Sequence, residues 1–218
     1  MSEVRRTREE VASLHAELVR YGLVVWTGGN ISARVPGTDL FAIKPSGVPY
    51  EDLNADCMVL CDLDGHVVEG DLRPSSDTDS HAYVYRHCPD IGGVVHTHST
   101  YAVAWAARAQ AVPCVLTAMA DEFGGEIPVA PFALIGDDAI GRAVVDTHRA
   151  TGSPAVLLQN HGPFTVGPDA RAAVKAAVMC EDVCRTVHVA LQLGDCKVIE
   201  AGDIRQLHER YQNAYGQQ

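Results

Sequence analysis

Apolar positions fall into helical stripes and short runs separated by small polar turns, a pattern that predicts alternating helices and strands. Val11, Leu14, Leu18 and Tyr21 share one face of a helix, opened by the capping box Thr7-Arg8-Glu9-Glu10 and ended by Gly22. Leu23-Val24-Val25-Trp26 follows as a strand-like run, and beyond Thr27-Gly28-Gly29-Asn30 an extended pattern resumes over Ile31 to Val35. Phe41-Ala42-Ile43 is a further strand, and Met58 to Glu69 reads as a hairpin about Asp64-Gly65, a favoured I′ turn. After the polar turn Arg73 to Thr78, residues His81, Val84, Tyr85 and Cys88 recur at helical spacing.

Ile91 to Ser99 reads as a strand, because Ile91, Val94 and Val95 favour a pleated backbone and Cys88-Pro89-Asp90 breaks the element before it. Ser99 or Thr100 caps a helix through Tyr101 to Gln110; Val112 to Leu116 is a strand delivering Thr117 to Asp121 into a loop that ends at Phe123-Gly124-Gly125. Gly136-Asp137-Asp138 opens a helix with Ile140, Val144 and Val145 near one stripe, closed by Gly152, and Ala155 to Gln159 is a strong strand. A long helix runs from Asp169 to Leu193 between Pro168 and Gly194, and an amphipathic helix from about Asp203 leads to the tail Asn213 to Gln218. With no repeats, low-complexity tracts or linker, residues 1–218 are expected to form one domain, although the length also admits two small ones.

Charge narrows the function. The 218 residues are 47% hydrophobic and 21% charged, with a formal net charge of -11, which argues against broad nucleic-acid binding or attachment to anionic membranes. An anionic substrate requires locally concentrated cations and backbone N–H groups. Arg5, Arg6 and Arg8 are not followed by an apolar segment, and no apolar stretch approaches ~20 residues, so a cytoplasmic protein is expected. The seven cysteines, with Cys57/Cys61 and Cys180/Cys184 four apart, suit core positions better than a disulfide frame or a structural zinc site.

Side chains alternate along a strand, so His96 and His98 project from one face and can converge on a cation. Alone, the pair fits ordinary buried or surface histidines better than a metal site. His161, at the end of the Ala155–Gln159 strand, changes that balance: three strand-borne histidines with an acid or an open position match a catalytic zinc-type shell. Three polar turns suit an oxyanion. Thr27-Gly28-Gly29-Asn30 offers accessible N–H groups, if it is not a plain hairpin turn; Lys44-Pro45-Ser46-Gly47 offers a cation and a hydroxyl; Ser75 and Ser76 stand at a helix N-terminus. Asp77 is either that helix's N-cap or a carboxylate set against the metal, and Asp121 is either a solvated acid or part of the site.

In chain order, Gly28-Gly29-Asn30-Ile31-Ser32, Lys44-Pro45-Ser46-Gly47-Val48, Pro74-Ser75-Ser76-Asp77-Thr78, His96-Thr97-His98-Ser99, His161-Gly162-Pro163-Phe164 and Ala214-Tyr215-Gly216-Gln217 resemble the class II aldolase and L-ribulose-5-phosphate 4-epimerase family. The resemblance implies a three-layer α/β/α fold with a mostly antiparallel central sheet, and a cyclic homotetramer with active sites between subunits. It also implies zinc, or manganese or cobalt, on His96, His98 and His161, with Asp77 completing or adjusting the shell. Asp rather than Glu at 77, and the Tyr-Gly-Gln ending, are similar to the epimerase branch. Two departures stand out: Met119-Ala120-Asp121 replaces that branch's His-Ala-Asp, and His208 is the nearest counterpart of its C-terminal histidine.

The implied reaction is a 4-epimerisation of a phosphorylated ketose, L-ribulose 5-phosphate to D-xylulose 5-phosphate in type, by retro-aldol cleavage and re-addition. Asp121 and Tyr215 would be the paired proton-transfer groups, and Gly28, Asn30, Lys44, Ser46, Gly47, Ser75 and Ser76 would hold the phosphate. The alternatives are a class II aldolase releasing dihydroxyacetone phosphate from a substrate such as fuculose 1-phosphate, and a non-catalytic domain like the adducin head.

Overall fold

The computed structural model describes residues 2–214, which build an eight-stranded sheet between two layers of helix. The first half contributes α1 (Glu3–Arg20), β1 (Asn30–Arg34), β2 (Leu40–Ile43), β3 (Val59–Asp62), β4 (Val67–Glu69), α2 (Thr78–His87), β5 (Gly93–His96) and α3 (Thr100–Ala107). The second contributes α4 (Thr117–Phe123), β6 (Val129–Ala130), α5 (Ala139–Thr151), β7 (Ala155–Leu158), β8 (Pro163–Gly167), α6 (Ala170–Leu193) and α7 (Ala201–Ala214). The strand order is β4-β3-β2-β1-β5-β8-β7-β6, and every neighbouring pair is antiparallel except β6 with β7. This is the mostly antiparallel α/β/α arrangement expected.

Strand alternation sorts the core into two faces. Val94, Val156, Leu158 and Phe164 pack with Tyr85 of α2 and Ile140 and Val144 of α5. Their neighbours Val95, Ala155 and Leu157 turn the other way, toward α1, α6, α3 and α4. Both faces are covered, so β5 and β7 are buried along their whole length, and the polar side chains that the central strands carry, Asn30, Ser32, His96 and Thr165, are buried too. At Gly93 a Cβ would lie 2.4 Å from Ala170 Cα, so α6 rests directly on the backbone of β5 and fixes the height of that strand.

Several expectations shift. Helix α1 starts at Glu3, because Ser2 Oγ accepts from Arg5 N at 3.3 Å, and Thr7 lies inside the helix with its hydroxyl donating to Glu3 O. Leu23 to Trp26 forms no strand: Leu23 is buried, but Val25 and Trp26 are 76% and 86% exposed, and Trp26 has φ 58°. Val112 makes only an isolated bridge to Ile127. Thr117 to Asp121 is not a loop but the first part of α4, which ends at the left-handed Gly124. Helix α3 stops at Ala107, and neither Ser99 nor Thr100 caps it by side chain; the Glu181 carboxylate, far along α6, accepts from Tyr101 N and Ala102 N instead.

Candidate metal centre and anion pocket

The sheet register assembles the site. Asn30 at the start of β1 faces His96 at the end of β5, and His96 faces Phe164 on β8, so the β7–β8 turn carrying His161 arrives at the same end of the sheet. In that tight turn a Cβ on Gly162 would meet Thr97 O at 2.7 Å, so only glycine lets the turn close against the histidine strand. One nitrogen from each of His96, His98 and His161 lies within 4.8 Å of the others, with His96 buried, His98 exposed and His161 between.

The donor set fits a divalent cation. His96 Nδ1–H donates to Pro163 O at 3.0 Å, which commits Nε2 to be the lone-pair atom, and Nε2 faces His98 Nε2 at 2.8 Å. Phe164 stacks on the His96 ring with centroids 4.3 Å apart. Burial pushes the His96 pKa down to about 3, with Asp77 pulling the other way, and burial together with His98 lowers that of His161. Both rings therefore stay neutral near pH 7, the form that ligates metal.

Asp77 occupies the N-cap position of α2 without capping it. Its Oδ2 instead accepts from Asn30 Nδ2 at 2.6 Å. Burial opposes its charge, but His96, His81 and the Asn30 bond hold its pKa below the usual carboxylate value. It lines the same cavity as the histidines but stands apart from the three-nitrogen group. Asn30 Nδ2 also reaches Ser75 Oγ at 3.0 Å, so its donors serve Asp77 and Ser75, while Oδ1 is buried without a partner among the described residues. Ser75 Oγ accepts from Asn30 and from Asp77 N, which leaves its hydrogen to donate to an anion.

The three polar turns meet beside the histidines in a cavity of about 290 Å³, lined by Gly28, Asn30, Lys44, Ser46, Gly47, Ser75, Ser76, Asp77 and all three histidines. An antiparallel bridge between Pro45 and Pro74, with Ser46 N donating to Arg73 O and Ser75 N to Lys44 O, ties the second turn to the third. Lys44 is 2% exposed; its ammonium donates to Thr27 O at 3.2 Å and Pro45 O at 3.1 Å, and burial lowers its pKa. A buried cation held by two carbonyls keeps a third N–H and most of its charge for a ligand.

Asp121 is not among the residues lining this cavity. It lies half-buried on α4, and its carbonyl accepts from His208 Nδ1 at 2.8 Å. Tyr215 lies outside the described residues. Two contributors have no signal in the sequence: Ile135, which reaches the cavity from the loop before α5, and Tyr50, whose hydroxyl donates to Gly28 O at 2.8 Å.

The chain belongs to the family described as class II aldolase and adducin N-terminal domain, whose model matches residues 9–188. It is 42% identical over 197 residues to L-ribulose-5-phosphate 4-epimerase UlaF of Salmonella paratyphi B, covering 86% of each chain, and equally to its counterpart in Salmonella typhi. Among solved structures it is similar to an L-fuculose 1-phosphate aldolase, with TM-score 0.89, 27% identity, and coverage of 95% of this chain and 96% of that one. YgbL from Klebsiella pneumoniae superposes with TM-score 0.83 at 28% identity, covering 95% and 100%. Among the described residues, no helix is long and apolar enough to cross a membrane.

Proposed function

We propose that this chain is a metal-dependent sugar-phosphate 4-epimerase, converting L-ribulose 5-phosphate to D-xylulose 5-phosphate or a close analogue by retro-aldol cleavage and re-addition. The observation that carries the reading is one cavity holding both the three-imidazole cluster and a buried lysine flanked by glycine and serine turns. The 42% identity to an L-ribulose-5-phosphate 4-epimerase supports it.

In this reading His96, His98 and His161 hold a divalent ion, zinc in first place with manganese and cobalt as substitutes. Once bound, the metal supplies a Lewis acid that polarises the ketone oxygen. Lys44, Ser46, Gly47, Ser75, Ser76 and the Gly28 backbone hold the phosphate, which does not change during the reaction, while Asn30 holds Asp77 in the same cavity beside the histidine cluster. Re-addition to either aldehyde face needs a proton-transfer group on each side. Asp121 and Tyr215 take those parts, and because Asp121 does not line the cavity of its own chain, it serves the site of a neighbouring subunit in a cytoplasmic homotetramer.

The second reading is an aldolase that releases its aldehyde, favoured by the TM-score of 0.89 with an L-fuculose 1-phosphate aldolase and by Met119 in place of the epimerase histidine. The zinc-loaded protein is expected to form D-xylulose 5-phosphate from L-ribulose 5-phosphate, and to release no dihydroxyacetone phosphate from fuculose 1-phosphate. The reverse outcome selects the aldolase. No bound metal and no turnover of either sugar would select the adducin-like binding module.

A further inference from the structure

We propose that Tyr50 is a positioning residue for the anion-binding half of the cavity, setting the Gly28-Gly29 backbone and the Lys44 ammonium together; this rests on the reading that this half takes a phosphate. Tyr50 opens a single 3-10 turn, Tyr50–Asp52, just after the Lys44–Gly47 turn. Its hydroxyl donates to Gly28 O at 2.8 Å, with Gly29 O at 3.4 Å.

In a trans peptide the carbonyl of one residue and the N–H of the next point in opposite directions. Anchoring Gly28 O on Tyr50, which does not line the cavity, therefore turns the Gly29 N–H away from Tyr50, and Gly29 does line it. That N–H makes no backbone hydrogen bond among the described residues. The conformation requires φ +79° at Gly29, where a Cβ would also meet Val24 at 2.8 Å and His96 O at 2.9 Å. The loop has no freedom to choose another side chain and depends on an outside group to hold its peptide planes.

The same ring carries the cation. Lys44 Nζ sits 5.3 Å from the Tyr50 ring centroid, within the range in which a ring face attracts an ammonium. The ring is itself backed by His15, 5.9 Å away. His15 is immobile because Nδ1–H donates to Val11 O at 2.7 Å while Nε2 accepts from Ile31 N at 3.1 Å. A continuous line of contacts thus runs from α1 through His15 and the tilted Tyr50 ring to both the glycine peptide and the lysine. An aromatic serving only as core packing would have no reason to place its hydroxyl on one phosphate turn and its face on another.

The test uses the metal-loaded enzyme with inorganic phosphate as competitive inhibitor and the phosphorylated ketose as substrate. Tyr50→Phe keeps the ring and loses the clamp. It is expected to raise KM and the phosphate inhibition constant about five- to tenfold, with kcat and metal content unchanged and Tm lowered by only about 2–4 °C. Tyr50→Leu removes the ring as well and is expected to raise both further, and the added cost of Lys44→Met in that background should be smaller than in the wild type. Unchanged KM and inhibition by phosphate in Tyr50→Phe overturn the proposal, as does a loss confined to Tm and kcat. A wild-type enzyme that inorganic phosphate does not inhibit removes the phosphate reading itself, and the role of Tyr50 with it.

Discussion

Asn30 Nδ2 donates to Asp77 Oδ2 at 2.6 Å, joining the first residue of a strand to the N-cap position of a helix that follows 47 residues later. Asn30 also pairs with His96 in the sheet, so one amide relates the carboxylate to the histidine cluster. Removing it in Asn30→Ala leaves Asp77 buried without its charge-assisted donor, a loss of about 1.5–3 kcal/mol. The expected result is a kcat/KM reduced by roughly tenfold to a hundredfold on that scale, with the three histidines still binding metal. Steady-state kinetics beside metal analysis by mass spectrometry check it, and wild-type kcat/KM in the variant would contradict it.

Replacing His161 with Asn is expected to lower metal occupancy and activity together, since a catalytic ion on three imidazoles has no spare ligand. Retained turnover in His161→Asn protein shown to be metal-free would end the metal assignment.

Lys44→Met should act mainly through KM. Because burial lowers the Lys44 pKa, the ammonium is lost at a pH below that of an ordinary lysine. KM for the phosphorylated substrate should therefore climb on the alkaline side before free lysine would titrate. That rise should vanish in Lys44→Met, and a KM profile identical in the two proteins would show that Lys44 does not face the substrate.

Three histidines are buried and neutral, with pKa values pushed down by burial to about 3 for His15, about 4 for His81 and about 3 for His96. An unfolded chain takes up these protons near pH ~6.5, whereas the native state refuses them until pH 3–4. Stability of the metal-free protein is thus full above ~6.5 and falls as pH drops through that window, by up to ~1.4 kcal/mol per pH unit for each histidine. Urea unfolding at several pH values measures the slope. His15→Leu should lower stability at pH 7 but flatten the slope by one proton, and an unchanged slope would rule His15 out as a contributor.

Asp121→Asn and Tyr215→Phe should each slow turnover strongly while leaving metal content intact. If they complete a neighbour's site, mixing inactive Tyr215→Phe with inactive His96→Asn subunits should restore partial activity after exchange. Mixtures that stay inactive although native mass spectrometry shows hybrid oligomers would place both groups on one chain.

The legible parts of the chain were those governed by local rules. Gly22 and Gly152, which end their helices, and the β-branched pair Val94-Val95 of β5 say what the backbone does there. The I′ turn expected at Asp64-Gly65, by contrast, does not form: only Gly65 takes positive φ, and Asp62 N donates to His66 O across a longer loop. Elsewhere tertiary partners overrule local propensity. Val25 and Trp26 have strand-forming side chains, but no neighbouring strand lies beside them. The cap of α3 comes from Glu181, about eighty residues distant, which no window of sequence contains. At the site, His96, His98 and His161 could be read from spacing at strand ends, and the turns from their chemistry. Tyr50 and Ile135 could not, because their roles depend on which surfaces the sheet brings opposite them.

The Asn30–His96–Phe164 rung crosses three strands, and a slip of β5 by one residue would send His96 to the opposite face and deliver Val95 in its place. Metal binding is therefore a gauge of strand alignment. A cobalt-substituted protein offers this directly: its visible absorption should return during refolding only when β1, β5 and β8 have locked into step, later than helix recovery seen by circular dichroism. An ion held by these histidines would then double as a clock for the final stage of folding.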